Sequence, residues 1–290
     1  MSSKKSQGAE LSLSSAEQQA KINVVRKLIG PAVNTFPAMF SDASILMFLK
    51  ARNWHTRRSA KMLKETLIWR LENKPEMIRW DGIAQQAETG KVYKANYFDK
   101  YGRAVLVMRP GIPNPYSVEQ QMKHLIYCME KAILDLKPGQ ELMVWLIDFE
   151  GWNMSSISVK VTQETARMLQ DHYPERLGLA ILYNPPKMVK PFLEKRTYKK
   201  VRFVYPDDVH TQKVMEDLFD MDKLESSFGG NGRKRMSDFI ISGGPLPSDQ
   251  HVTAETPASS APDNSFELSE DGMSSTDETT SNLERRFADE

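Results

Sequence analysis

The chain has 290 residues and 40% of them are hydrophobic, which is enough for one large domain or for a small domain joined to a medium one. No stretch approaches the roughly 18 apolar residues of a transmembrane helix, and the single cysteine, Cys128, excludes an internal disulfide and is typical of a reducing compartment. The net charge is +1, but residues 243–290 hold eleven acidic residues against two arginines, so a segment of −9 follows a body of +10.

This charge asymmetry predicts two physically different parts. Residues 244–290 are rich in Ser, Thr, Pro, Asp and Glu, so burial of apolar groups cannot offset their chain entropy and we expect a disordered acidic tail. A basic globule binds nucleic acid, anionic membranes or acidic partners. Because the sequence has no zinc-ligand spacing, no RNA-binding aromatic signature and no Arg-rich arm, membrane phosphates are favoured over nucleic acid.

The N-terminal quarter of the chain predicts helices. Residues 1–19 lack an apolar signal core and are expected to be a flexible N-terminus, and residues 20–80 are expected to form a helical lobe. Amphipathic spacing and capping signals place one helix end at Gly30-Pro31, a second helix start at Ser41-Asp42, and a third helix between Thr56 and Pro75.

From residue 81 to residue 243 the pattern predicts one α/β domain. ELMVWLIDFEG and LGLAILYNPP are near-continuous apolar runs, which are typical of strands buried on both faces. RAVLVMRP and KKVRFVY predict further strands, and VEQQMKHLIYCMEKAILDL and SVKVTQETARMLQDHY predict helices between them. Such alternation predicts a mainly parallel sheet with helices packed on it.

The sequence carries no recognisable catalytic constellation. It has no Walker loop, no GxSxG elbow and no GxGxxG after a strand. Asp148 and Glu150 follow a buried strand, where α/β enzymes place catalytic acids, but no partner histidine or metal-ligand spacing accompanies them. A structural or capping role is the favoured interpretation of Asp148, and a catalytic metal is not expected.

The segment 185–202, PPKMVKPFLEKRTYKKVR, combines an apolar stripe with many cations. Helical spacing would align Met188, Val189, Phe192 and Leu193 on one face, and Lys187 and Lys190 are among the basic residues around that face. A basic amphipathic helix suits a membrane interface, where apolar chains meet phosphates. A helix packed on the core with a solvated basic rim fits the same residues equally well.

A second cluster combines a carboxylate, a hydroxyl and an ammonium group. Glu175 lies just before a buried strand, and Thr197 and Lys200 are three residues apart. A carboxylate can accept hydrogen bonds from sugar hydroxyls while a lysine pairs with a phosphate, so the cluster can bind a polyol phosphate. An ordinary structural salt bridge is the alternative.

Several of these segments resemble the Sec14-like (CRAL-TRIO) lipid-transfer family over roughly residues 20–243. ILMFLKARNW is similar to the FLRAR-type signature of the family's N-terminal lobe, and HYPERLG, LYNPPKMVKPFLEKRTYKKVRFV and KLESSFGGNG follow in the family's order. The resemblance implies a helical N-terminal lobe, an α/β lipid-binding lobe and a movable gate helix over an apolar pocket. The gate corresponds to about residues 187–196.

The resemblance also implies a headgroup site for phosphatidylinositol. The family's Arg, Glu, Thr and Lys for this headgroup are matched by Arg52, Glu175, Thr197 and Lys200. The family's phosphatidylcholine site uses hydroxyl groups, and this chain does not match it. The positions aligned with that site are Ala95, Leu106, Met143, Trp145 and Leu169, which favour a second, more apolar lipid such as a sterol.

The function implied is non-catalytic binding and transfer or presentation of phosphatidylinositol. The expected partners are phosphatidylinositol, a second apolar lipid, an anionic membrane surface and a phosphoinositide kinase, with bound phospholipid as ligand and no cofactor. The expected location is cytoplasmic and transiently peripheral at membranes. Two alternatives remain: a carrier of a sterol or isoprenoid-type ligand, and a hydrolase that uses Asp148 or Glu150.

Overall fold

The computed structural model describes residues 13–153, 158–187 and 199–232. A helical N-terminal lobe precedes an α/β lobe, so the predicted fold class is confirmed. The predicted acidic tail, residues 244–290, lies outside the described residues. The helices of the N-terminal lobe are α1 (Ser15–Ile29), α2 (Ala32–Thr35), α3 (Asp42–Ala51) and α4 (Thr56–Asn73).

Local capping chemistry sets the ends of these helices. Ser14 and Glu17 form a capping box at the start of α1, and Ser41 accepts a hydrogen bond from the backbone N–H of Ser44 at the start of α3. At the other end of the lobe, Lys74 takes a left-handed conformation after α4, directly before Pro75. The predicted start at Ser41 and end before Pro75 are confirmed.

One apolar core holds the helical lobe together. The side chains of Val25, Ile45, Leu49 and Leu63 are fully buried, and Phe40 is 1% exposed. These residues come from α1, from α3 and the turn before it, and from α4. The helices α1, α3 and α4 therefore each contribute one apolar stripe to the core, as expected for amphipathic helices.

The α/β lobe is built on a five-stranded sheet in which the strand order follows the sequence. The first two strands are antiparallel, and the remaining neighbours are parallel. The predicted mainly parallel sheet is therefore confirmed. The strands are β1 (Val92–Phe98), β2 (Ala104–Met108), β3 (Met143–Asp148), β4 (Leu177–Tyr183) and β5 (Val201–Val204). The helices are α5 (Ala84–Glu88), α6 (Val118–Leu134), α7 (Val159–His172) and α8 (Val209–Leu218).

Strand β1 was not among the predicted strands. Its side chains alternate, with Tyr93, Ala95 and Tyr97 buried and the intervening positions only partly covered. Lysine and asparagine between these positions interrupt the apolar run that marks the central strands. The alternation itself is the signal of a strand buried on one face.

The two faces of the sheet have different coverings. On the first face, Val105, Leu146 and Ile181 pack in one cluster with Phe219 and Phe228 from the segment after α8. On the second face, Leu106 and Met143 pack in another cluster with residues of α6 and α7, namely Leu125, Met129, Ala132 and Met168. Further along the second face, Ala180, Leu182 and Val201 form a separate apolar cluster, which we call the β4–β5 patch.

Polar and aromatic contacts join α4 to the α/β lobe. Thr66 Oγ1 donates a hydrogen bond to the carbonyl of Asp171 at 3.0 Å, and the Trp69 and His172 rings stack with centroids 4.2 Å apart. The Arg70 guanidinium donates to both carboxylate oxygens of Glu130, at 2.9 and 3.1 Å. Because α7 ends at His172, these contacts fix the start of the loop that carries Glu175.

Candidate functional site

The amino ends of β4 and β5 bring two of the predicted site residues together. Glu175 lies two residues before β4, and Lys200 lies directly before β5. Because these strands are parallel neighbours, with Ala180 opposite Val201, their amino ends lie side by side. Lys200 Nζ donates a hydrogen bond to Glu175 Oε2 at 3.2 Å. The fold thus joins two side chains that are 25 positions apart in sequence.

The Glu175–Lys200 pair is open to solvent. The Glu175 side chain is 27% exposed and the Lys200 side chain is 37% exposed. An ion pair in such a setting contributes about 0–1 kcal/mol to stability, because water screens the charges and competes for both groups. A ligand can therefore replace either partner of this ion pair at low energetic cost.

The backbone at Glu175 is held in an unusual conformation. Its φ angle is +58°, in the left-handed region, which costs a residue with a Cβ roughly 1–2 kcal/mol. The next residue is anchored twice: its carbonyl accepts the N–H of Met143 at 2.9 Å, and the Arg176 guanidinium pairs with Glu141. Strained conformations that the surroundings maintain are concentrated at ligand sites, so this geometry favours a functional role for Glu175.

Arg52 is positioned by the end of α3. It is the C-cap residue, its backbone N–H donates to the carbonyl of Phe48 at 3.1 Å, and its side chain is half-buried. Within the described residues, no hydrogen bond or ion pair joins Arg52 to Glu175 or Lys200. The headgroup role of Arg52 therefore stays a prediction.

A cleft of about 580 Å³ lies between the helical lobe and the α/β lobe. One wall includes Ser44, Met47 and Phe48 of α3, and the other includes Pro174 and Arg176, which flank Glu175 in sequence. Arg52 follows Phe48 by one helical turn, so Arg52 and Glu175 belong to the two elements that wall the cleft. Arg70, Glu130 and Tyr173 add polar groups to the lining.

The remaining predicted site residues lie mostly outside the described residues. Lys187 is described and is exposed, just after Pro186. The headgroup residue Thr197 lies outside the described ranges. The same is true of the other predicted gate residues, which are Met188, Val189, Lys190, Phe192 and Leu193.

Comparison with known proteins identifies the α/β lobe. Residues 87–230 match the family model of the CRAL/TRIO domain. The chain contains a CRAL/TRIO domain. The predicted resemblance to the Sec14-like (CRAL-TRIO) family is therefore confirmed.

Curated relatives that are longer than this chain match part of it. A CRAL-TRIO domain-containing protein of Schizosaccharomyces pombe is 34% identical over 195 residues, which is 64% of this chain and 18% of that protein. The phosphatidylinositol transfer protein PDR17 of Saccharomyces cerevisiae is 31% identical over 197 residues, or 61% of this chain and 56% of the relative. The chain thus spans from about a fifth to just over half of the length of these two relatives.

A solved structure shares the fold. The crystal structure of Sfh5 superposes with a TM-score of 0.59, covering 79% of this chain and 92% of the other at 15% identity. At that identity the likeness concerns the fold alone. The superposed share of the chain is larger than the segment 87–230 that matches the domain model.

The carboxyl ends of the strands in the CRAL/TRIO domain hold a second charged cluster, which we call the Glu225 network. The Glu225 carboxylate accepts hydrogen bonds from the hydroxyls of Tyr93 and Tyr97, at 2.6 and 3.3 Å. The Arg109 guanidinium lies 3.4 Å from both Glu225 and Asp148. Glu225 lies in the KLESSFGGNG segment, but the sequence did not predict its role. Its partners Tyr93 and Arg109 are more than 100 positions away.

Burial sets the electrostatics of the Glu225 network. Removal from water raises the pKa of the Glu225 carboxyl above its ordinary value, although the Tyr93 hydroxyl and Arg109 oppose the shift. Burial also raises the pKa of Asp148, whose carboxylate accepts the backbone N–H of Glu150 at 3.0 Å. The predicted capping role of Asp148 therefore matches its contacts, and the network ties the segment after α8 to the sheet.

The positions aligned with the family's phosphatidylcholine site fall on both faces of the sheet. Leu106, Met143, Trp145 and Leu169 pack in the cluster beneath α6 and α7. Ala95 packs with the cluster on the opposite face, so it does not belong to the same surface. The indole N–H of Trp145 is buried and has no hydrogen-bond partner in the described structure. No hydroxyl group stands at any of these positions.

Within residues 13–153, 158–187 and 199–232, no group of three or more His, Cys, Asp or Glu side chains is arranged to hold a metal ion. In the same ranges, no helix combines the length and the apolar character that crossing a bilayer requires.

Proposed function

We propose that this chain binds phosphatidylinositol without catalysis and either transfers it between membranes or presents its headgroup to a phosphoinositide kinase. The observation that carries the proposal is the solvent-accessible Glu175–Lys200 pair beside the interlobe cleft. The name of the phosphatidylinositol transfer relative supports the same lipid class. Exchange would take place at a cytosolic membrane leaflet.

The pair has the chemistry that an inositol phosphate requires. An ionised carboxylate accepts hydrogen bonds from ring hydroxyls, and a lysine ammonium donates charge-assisted hydrogen bonds to a phosphate. In the absence of ligand the two groups neutralise each other at 3.2 Å. A headgroup would insert between them and satisfy both, with Arg52 and Thr197 as the further predicted contacts.

The acyl chains need an apolar cover away from water. Moving a lipid through water costs about 0.8 kcal/mol for each exposed CH₂ group, so a carrier must shield the chains. The β4–β5 patch is a buried apolar cluster on the second face of the sheet, next to the Glu175–Lys200 pair in sequence. In this proposal the β4–β5 patch would contact the acyl chains and keep them from water.

Two other functions lead to different observations. A carrier of a sterol or isoprenoid-type ligand would use the apolar patch and leave the Glu175–Lys200 pair without a role. A hydrolase that uses Asp148 would need this carboxylate to reach substrate, whereas its side chain is 5% exposed and faces Arg109 and a backbone N–H. Both alternatives are therefore less favoured.

A vesicle transfer assay tests the proposal. We expect the purified full chain to move radiolabelled phosphatidylinositol well above the spontaneous rate and to move phosphatidylcholine little. Lys200→Ala should abolish the preference for phosphatidylinositol over phosphatidylcholine. Lys223→Ala, which removes another surface ion pair, with Asp220, should not. Mass spectrometry of lipids extracted from the protein separates the alternatives: a sterol or isoprenoid without phosphatidylinositol would contradict the proposal, as would equal loss of transfer in both variants.

A further inference from the structure

The outward face of α4 carries a regular stripe of exposed side chains. The stripe consists of Arg57, Lys61, Lys64, Ile68 and Leu71, which recur every three or four residues and so lie on one side of the helix. All are exposed, including Ile68 at 42% and Leu71 at 51%. At 1.5 Å per residue, the stripe is roughly 21 Å long.

The stripe contributes little to the helical lobe. The buried side chains of α4, such as Met62, Leu63 and Thr66, lie on the other side of the helix. Within the described part of the chain, Arg57 and Lys64 have no ion-pair partner, and Lys61 has a weak one in the exposed Glu65 at 3.9 Å. Stability of the lobe therefore does not explain why three cations and two aliphatic side chains line up here.

The order of the stripe fits a lipid surface. Its cations occupy the amino-terminal half and its aliphatic residues the carboxyl-terminal half, and Met77, 69% exposed, lies in the turn that follows the helix. Cations near an anionic leaflet gain about 1 kcal/mol each, and adjacent aliphatic side chains can enter the region between headgroups and acyl chains. A soluble acidic partner would complement the cations but leave the aliphatic half exposed to water.

We propose that the α4 stripe is a docking surface for anionic membranes. The cations would contact lipid phosphates and carboxylates while Ile68 and Leu71 enter the interfacial region. The inference deepens the proposed lipid exchange and rests on it for the choice of a lipid surface over a protein partner. It adds a docking surface in the helical lobe that is separate from the predicted headgroup and gate residues.

The position of α4 gives this docking a consequence for the cleft. The side of the helix that faces away from the stripe carries Thr66, Trp69 and Arg70, which contact Asp171, His172 and Glu130 of the α/β lobe. The loop that carries Glu175 begins directly after His172. A membrane bound to the stripe would therefore fix the orientation of the interlobe cleft relative to the lipid surface.

Equilibrium binding to vesicles tests the cationic half. Lys61→Gln/Lys64→Gln should bind vesicles of phosphatidylcholine and phosphatidylserine roughly fivefold more weakly for each charge removed, with little change for pure phosphatidylcholine vesicles. Lys160→Gln/Lys213→Gln is the matched control, because both lysines are exposed and lie outside the stripe. Equal binding by the stripe variant and wild type, or equal loss in both double variants, would overturn the proposal.

A fluorescent label tests the aliphatic half. Ile68→Cys and Val209→Cys each introduce one accessible thiol for an environment-sensitive dye, since the native Cys128 is buried and burial raises its pKa to about 12. Val209 is 83% exposed and belongs to α8 of the other lobe. A blue shift on anionic vesicles at position 68 alone supports the proposal, and no shift there, or equal shifts at both positions, overturns it.

The two binding measurements test the docking surface independently of lipid transfer. Vesicle binding and dye emission do not require lipid transfer, so a chain that docks through the stripe but transfers no phosphatidylinositol would contradict the proposed function alone. Thermal melting of every variant should match the wild type, because all of the substituted residues are exposed. Stripe-dependent binding that needs an added acidic protein, with none to vesicles alone, would also overturn the lipid assignment.

Discussion

The two ends of the parallel strands carry charged side chains in opposite physical settings. At the amino ends, Glu175 and Lys200 form one ion pair with 27% and 37% of their side chains exposed. At the carboxyl ends, the side chains of Asp148 and Glu225 are each 5% exposed, and Arg109 lies between them. One pair can exchange its partners with solvent or a ligand, and the other network is enclosed by protein.

This difference in exposure indicates where a ligand can reach the sheet. Ligands of open α/β sheets usually bind at the carboxyl ends of the strands. Here the segment after α8 packs over those ends, with Phe219, Leu224 and Phe228 buried against the first face of the sheet. The Glu175–Lys200 pair at the amino ends, beside the interlobe cleft, is in contrast open to solvent.

The largest expected effect is on stability at the enclosed end. Glu225→Ala removes the buried acceptor of the Tyr93 and Tyr97 hydroxyls and one carboxylate partner of the partly buried Arg109, so we expect the free energy of unfolding to fall by about 3–5 kcal/mol. Urea denaturation followed by circular dichroism measures this loss. A loss below 1 kcal/mol would mean that the Glu225 network is as exchangeable as the Glu175–Lys200 pair, which would erase the contrast.

The next effect is on recognition at the open end. Glu175→Gly should leave the free energy of unfolding within about 1 kcal/mol, because glycine accepts the left-handed φ freely and the lost ion pair is exposed. It should weaken phosphatidylinositol binding roughly 10- to 150-fold, since charge-assisted hydrogen bonds contribute about 1.5–3 kcal/mol.

Binding of fluorescent phosphatidylinositol measures this effect, and Lys74→Gly is the control. Lys74 also has a left-handed φ, of +44°, but caps α4 away from the Glu175 loop. Its replacement relieves the same kind of backbone strain without removing the carboxylate. If both glycine variants weakened binding alike, backbone flexibility and not the Glu175 carboxylate would account for the result.

The smallest effect is a pH dependence confined to the enclosed end. Because burial raises the pKa of Glu225, the folded protein takes up this proton before the unfolded chain does as the pH falls from neutral. Wild type should therefore gain stability relative to Glu225→Gln as the pH approaches the ordinary carboxyl value, and lose it again as the pH rises.

Unfolding free energies of both proteins at several pH values measure this difference. Burial lowers the pKa of His124 to about 4, which destabilises the fold as the pH falls below its ordinary value of 6.5. This opposing contribution is present in both proteins and cancels in the comparison. A difference that is flat with pH would show that Glu225 titrates alike in the folded and unfolded chains.

Local patterns were sufficient to predict most of the fold. The cap at Ser41 and the stop at Pro75 are encoded by adjacent residues, and the runs of β3 and β4 are apolar because both faces of these strands are covered. Strand β1 was missed because it is an edge strand with polar residues on its less buried face. Its alternation of Tyr93, Ala95 and Tyr97 was the available signal.

The site was predictable only in part, because its contacts are set by the register of distant strands. Glu175 and Lys200 meet because β4 and β5 are parallel neighbours, a relation that alternating strands and helices do imply. The Glu225 network needed knowledge that the chain returns from the far end of the sheet to β1 and β2. No local pattern around Glu225 carries that information.

The strand order has a consequence for how this chain is made. The sheet grows from β1 to β5 in sequence order, so each new strand pairs with the one synthesised before it. Glu225, however, bonds back to Tyr93, 132 residues earlier. A nascent chain can therefore assemble its strands progressively on the ribosome. Arg109 gains its contact with Glu225, and Phe219 and Phe228 cover the first face of the sheet, only after residues 219–228 have emerged.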